Sequence, residues 1–327
     1  MKSLRKHLFV VWLLCAIVLA FLAPGLGEAL NRIHARNAAI LLIFFMSGCT
    51  IRLGSVGRDL ARWRVHLPVF LFVYALAPAL FYFTSGWLEP DSLRYGAYLL
   101  GVLPTTISSC VVYTLAGGGR VPTALLNAVG LNLIGLFLSP LLLGVFIGTG
   151  GGVDWPMVGR SMMNLSWLAL LPFVAGQLAV LARTELRAKV ARVQTRLAQG
   201  CVLIVVFTAF SASSEEVAQA VRGMGPAVLY FVVAHLLLVA LAMAVAKAGR
   251  YRPGEATALV FCSTQKTLVL GIPLAYSYFD EKDVALVLVP VLIYHLFMLS
   301  FGGLLVAHWS RKNAEAQDER ESTDGKR

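Results

Sequence analysis

The sequence predicts an all-α integral membrane protein, with ten transmembrane helices in two inverted five-helix repeats. Three observations carry this. The 327-residue chain is 58% hydrophobic and only 14% charged, with a mean hydropathy of +0.75, outside the range of water-soluble domains. Its apolar residues fall in runs of about 20, the length that crosses a bilayer as a helix. The fourth and ninth runs, at matching places in the two halves, carry polar residues at their centres.

The spans are expected at 8–24, 37–53, 67–87, 95–115, 122–147, 157–181, 197–213, 224–246, 256–279 and 284–308. The first follows Lys2, Arg5 and Lys6 and could pass for a signal peptide. No small-residue cleavage site closes it, so it reads as a span. Helices one to four occupy 1–120, helix five 121–152, and the second repeat 153–310. Residues 311–327 are charged, without apolar periodicity, and read as a disordered tail. In a soluble protein the net charge of +11 would suggest nucleic acid, but the placement of the charges gives another reason and no nucleic-acid partner is expected. Most of the 28 Lys and Arg lie at the two termini and in the segments around 54–66, 120, 182–196 and 247–255. The opposite loops hold Arg32, Arg36, Arg94, Arg222 and Lys282, together with Glu28, Glu89, Asp91, Asp154, Glu215, Glu216, Asp280, Glu281 and Asp283. The positive-inside rule then places both termini in the cytoplasm, in the cell inner membrane. The basic 183–196 stretch reads as an inner-leaflet anchor.

No carboxylate lies deep within a span. Lys266 does, and a lysine at bilayer depth costs roughly 2.5–3.5 kcal/mol unless it faces protein, water or a counter-ion. It belongs to the run FCSTQKTLVLGIPLA, 261–275, where Gly271 and Pro273 suggest a broken helix. Freed backbone at that depth is tolerated only where it is buried or lines a cavity. The fourth span has Pro104, Thr105, Thr106, Ser108 and Ser109 at the corresponding place. Paired interrupted helices mark a binding site near the midplane. The N–H groups of one half-helix suit anions and the carbonyls of another suit cations.

The other polar residues have plainer readings. Asn127 and Asn132 either help form the site or join helices. His235 and His295 could relay protons, but bonding to a neighbouring helix is the commoner role. Cys15, Cys49, Cys110, Cys201 and Cys262 lack metal-ligand spacing and read as buried apolar residues. Arg160 snorkels to the interface. Gly117–Gly119 is a turn and Gly148 with Gly150–Gly152 a flexible connection. A Ser263–Lys266 dyad would need an unbroken helix and an oxyanion hole, so the chain is not expected to be an enzyme, and no cofactor is implied.

LPTTISSCVV at 103–112, LAGGG at 115–119, NAVGLNLIGLFLSP at 127–140 and FCSTQKTLVLGIP at 261–273 together resemble the bile acid:sodium symporter family. The likeness is closer to its SBF-like branch, which includes the member-seven type of solute carrier family 10, and covers about residues 5–310. It implies that the fourth and ninth helices cross where they unwind, and that a core group of helices moves against a panel group to give alternating access. By the same resemblance, Pro78 matches the third-helix proline and Val73 falls near an expected sodium-ligating Gln. Ser109 matches the fourth-helix serine, whereas Cys110 stands at the expected Asn. Ala124 and Ala128 occupy the fifth-helix ligand positions. In the ninth helix Gln265 matches, but Phe261 replaces a Glu and Lys266 an Asn. Ser109 and Gln265 are thus the sodium ligands retained if sodium is bound, and a hard cation needs several oxygens.

The expected function is a secondary transporter of a small or amphipathic organic anion, with the Lys266 ammonium in the place of a sodium ion or titrating to couple transport to protons. The site residues expected are Thr105, Thr106, Ser108, Ser109, Asn127, Asn132, Ser263, Thr264, Gln265, Lys266 and Thr267. The coupling ion is open between Na+ and H+. A conventional sodium symporter and a non-transporting regulator of ion homeostasis remain as alternatives. The expected partners are the organic anion and the lipid bilayer, with a homodimer left open.

Overall fold

The computed structural model describes residues 2–50, 62–148, 152–212 and 224–324, together with 214, 217 and 218. Arg52, Arg58, Gly150, Gly151, Glu215, Glu216 and Arg222 lie outside the described residues. Those described are helical, with no strand among them. The helices are α1 (Lys2–Leu22), α2 (Pro24–Arg32), α3 (Ala35–Thr50), α4 (Trp63–Thr84), α5 (Asp91–Val102), α6 (Ile107–Ala116), α7 (Val121–Gly148), α8 (Trp155–Ala182), α9 (Glu185–Ala212), α10 (Gly225–Ala248), α11 (Pro253–Thr264), α12 (Leu268–Tyr278) and α13 (Glu281–Asp324). Single π turns interrupt α4 at Phe72–Leu76 and α8 at Ser166–Leu170.

By length and composition seven helical stretches can cross a membrane, and nine if each bent pair counts as one span. The bent pairs are α1–α2, turned by 98°, and α5–α6, turned by 58°. Helix α3 is apolar but, at 16 residues, shorter than the criterion for a span. Each of the ten expected segments contains described helix, while seven to nine helical stretches are long and apolar enough to be spans.

Three expectations need correction. The first span ends at Leu22, because Pro24 starts a new helix in another direction. The segment 183–196 is not a loop but, from Glu185, the first half of α9, rich in the helix formers Leu, Arg, Ala, Lys and Gln. The tail continues α13 through Asp324, where no regular structure was expected. A helix already nucleated at Glu281 adds residues such as Ala, Glu, Gln and Arg without a new nucleation cost.

Packing sorts the helices into two groups. Helices α1, α2, α3 and α9, with the second half of α8, lie against one another, and α4 to α7 pack with α10 to α13. In the first group α3 and α8 meet through glycines. A Cβ on Gly48 would lie 2.1 Å from Phe173 O, and one on Gly176 would lie 2.2 Å from Phe45 O. Such small residues let membrane helices approach backbone to backbone. Of the seven long apolar stretches the α11–α12 pair is the most enclosed, with 94% of its most apolar segment buried against 61% or less in the other six.

At one end of the molecule Arg36, near the start of α3, pairs with Glu281 at the start of α13, with N and O 2.8 Å apart. Its guanidinium lies 3.8 Å from the centre of the Tyr276 ring, and Asn31 also donates to Glu281. Arg32 with Glu28, and Arg94 with Asp91, form further pairs at the acid-rich end.

Candidate functional site at the meeting of two broken spans

The two breaks have different causes. Pro104 lacks an N–H and disfavours helical geometry at Leu103, which is extended at φ −69° and ψ 139°. The second break, Gln265–Thr267, contains no proline. The interruption falls in the polar run where it was expected, but Pro273 lies inside α12, so Gly271 and Pro273 are not its cause. Partners across space hold it. Thr267 N donates to Pro104 O at 2.9 Å, joining one break to the other. The Tyr294 hydroxyl donates to Thr264 O at 2.7 Å, and Lys266 N meets Met298 Sδ at 3.2 Å.

Lys266 is 1% exposed, and its Nζ donates to Gly101 O at 2.9 Å and Leu103 O at 2.7 Å. These carbonyls end the half-helix α5, where carbonyls carry the negative end of the helix dipole. An amine donating there satisfies carbonyls that would otherwise be orphaned in the buried interior. Beside it Ser109 Oγ donates to Gln265 Oε1 at 2.7 Å. The two sodium ligands retained from the resemblance therefore bond to each other.

The opposite half-helix ends face a cavity of about 950 Å³. Thr106 and Thr267 precede the first turns of α6 and α12 without a side-chain cap. Thr106, Ser108, Ser109 and Asn132 line the cavity with Thr267. Asn132 also donates to Thr105 O at 2.7 Å, tying α7 to the first break. The remaining expected residues stand behind the wall. The Lys266 side chain turns to α5 instead of the cavity. Thr264 Oγ1 bonds Val260 O, and Asn127 bonds Thr123 O and His66, serving to join α7 to α4. Buried Thr105 Oγ1 and Ser263 Oγ have no partner.

Several wall residues were not expected. Ser47 and Thr50 of α3, Phe173 of α8, and Gln194 and Gln199 of α9 close the cavity from the other helix group. Ser47 and Thr50, three apart on an apolar helix, gave a faint signal; Gln194 was hidden in a stretch read as a loop. His295 also lines the cavity. His235 corrects the expectation of a bonded histidine, since both its ring nitrogens are buried without partner, packed among Tyr294, Phe297 and Phe301. The cysteines are free; Cys110 and Cys262 touch, sulfur to sulfur, at 3.2 Å. Among the described residues no three His, Cys, Asp or Glu gather as a metal site.

Broken helices meeting at a buried lysine, beside a cavity between two helix groups, are the architecture of a membrane carrier. The chain belongs to the SBF-like CPA transporter family, whose model matches residues 7–311. It is 30% identical to the putative symporter YfeH of Escherichia coli over 97% of both chains. It is 27% identical to sodium/bile acid cotransporter 7-B of Xenopus laevis, over 94% of this chain and 92% of that one. Against sodium/bile acid cotransporter 7 of Mus musculus the identity is 25%, over 94% and 93%. This family consists of transporters, and the chain is a multi-pass membrane transporter of that kind, not an enzyme.

Proposed function

We propose that the chain is a secondary active transporter that carries a small or amphipathic organic anion across the inner membrane by alternating access. In this reading ten helices form two inverted repeats, both termini are cytoplasmic, and the Lys266 ammonium stands where a sodium-coupled relative holds an ion. The observation that carries it is the bond from Lys266 to Gly101 O and Leu103 O. With that cation occupying the carbonyl ends, the uncapped N–H ends of α6 and α12 are left to the cavity. Such ends attract anions, and largely apolar walls with a few polar groups suit an amphipathic ligand of that size.

A second reading, a conventional sodium symporter, is favoured by the names of the vertebrate relatives. A thermal-shift titration with sodium, using potassium as ionic-strength control, separates the two. A ligand that binds only the folded state raises the melting temperature. Wild type is expected to ignore sodium and Lys266→Asn to acquire a response. A sodium response in wild type would replace the first reading by the second.

A further inference from the structure

The cavity wall carries a titratable ring that the reading above leaves without a task. His295 lies on α13 with its Nδ1 3.4 Å from Lys266 O. A carbonyl only accepts, so Nδ1 holds the hydrogen and the neutral ring keeps its lone pair at Nε2. Among the described residues Nε2 has no hydrogen-bond partner, and the ring lines the cavity. His235 differs, with both nitrogens sealed.

The groups around His295 leave it the proton-exchanging member of the wall. On its own helix the Tyr294 hydroxyl is committed to Thr264 O. On α6, Tyr113 lines the cavity but donates to Leu299 O, and Cys110 faces Cys262 of α11. In the second break Lys266 is committed to α5. His235 of α10 is walled by aromatic rings. Helix α9 lines the cavity with Gln194, Thr195 and Gln199, while its Arg192 and Arg196 are not part of the wall. Tyr276 and Tyr278 of α12, and Asp91, Arg94, Tyr95 and Tyr98 of α5, likewise stand outside it. Among the described residues no carboxylate lines the cavity.

We propose that His295 is the proton-binding residue of the cavity. Its Nε2 takes a proton from the cavity solution and keeps it, the new N–H donating a hydrogen bond to an anionic oxygen of the ligand, so that anion and proton are bound and released together. The proposal rests on the anion reading above and names its coupling ion. Nδ1 stays on Lys266 O throughout, which fixes the ring and links its charge to the crossing.

The test uses the full chain in lipid nanodiscs with nitrogen-15-labelled histidine, the His295 signals being assigned by their loss in His295→Gln. The glutamine amide can keep the bond to Lys266 O yet does not titrate; His295→Asn serves if the glutamine variant does not elute as wild type. Followed from about pH 4 to 9, Nε2 of His295 is expected without ligand to take up a proton as the pH falls, and His235, with both nitrogens sealed, to stay silent. The probe is then taurocholate, whose sulfonate stays ionised, so that any pH dependence belongs to the protein. Calorimetry in buffers of different ionisation enthalpy should show proton uptake with binding in wild type. Affinity should fall by about tenfold per pH unit on the alkaline side, since binding and protonation are linked. In His295→Gln the uptake should vanish and affinity should vary less than about twofold over the same range. A His295 ring that does not titrate overturns the proposal, as does proton uptake that persists in the variant. If taurocholate binds neither protein at any pH, the bile-acid form of the anion reading fails, and the ligand-free titration alone decides whether His295 is a proton site.

Discussion

Lys266 shows how one residue's role is set by what it meets. A lysine in a membrane span announces itself by its cost, and the sequence alone marks it as functional or partnered. Which of these holds depends on Gly101 and Leu103, more than 160 positions away. Removing the amine leaves two carbonyls without their donor in a region with no water to replace it, at about 1–3 kcal/mol each. Lys266→Met is therefore expected to lower the melting temperature in mild detergent by about 5 °C or more. An unchanged melting temperature would mean that these carbonyls find other donors. Asn132 and Ser109 were legible as candidates because polar residues are rare in such helices. His295 was legible only as a lone histidine, since its cavity and its Lys266 partner lie in another part of the chain.

At the scale of elements, the breaks explain why α5, α6, α11 and α12 are half-length. Pro104 made the first break readable. The second was readable in its polar composition, but the proline rule gave it the wrong cause, because Pro273 is accommodated within α12. The interruption at Gln265–Thr267 is kept by bonds to Pro104, Tyr294 and Met298, all distant in sequence. The packing of α3 on α8 is a different kind of contact, reciprocal glycines that bring backbone onto backbone. Gly48→Leu would drive a side chain into Phe173 O, and overpacking of this kind costs about 1–3 kcal/mol or more. Lower thermal stability is expected for Gly48→Leu, whereas Gly25→Leu, at a position with open space around it, should melt as wild type. Equal melting of both would show that α3 and α8 separate readily.

At the scale of the molecule, the Arg36 cluster stands at the starts of α3 and α13 and the cavity lies further along both helices. Cavity residues of α3 run from Ile43 to Thr50, and those of α13 from His295 to Leu304; Arg36 and Glu281 stand at the starts of those helices. The cluster thus ties α3 to α12 and α13 on the side away from the cavity. If the two helix groups rock during transport, this tie must open. Arg36→Ala is expected to enlarge the population with a longer distance between spin labels at Gly25 and Lys282, measured by double electron–electron resonance. An unchanged distribution would show that the cluster does not hold that end closed. By itself the sequence determined the class, most of the helical segments and the two polar interruptions. Hydropathy and helix-breaking are local properties, and the cost of polar groups in a bilayer makes them conspicuous. The family resemblance implied that the breaks meet; only the tertiary structure decided that Lys266 serves α5 and not the cavity, and that His295 and α9 complete the wall. Each of those depends on the direction of a carbonyl or a ring across helices that the chain brings together only on folding.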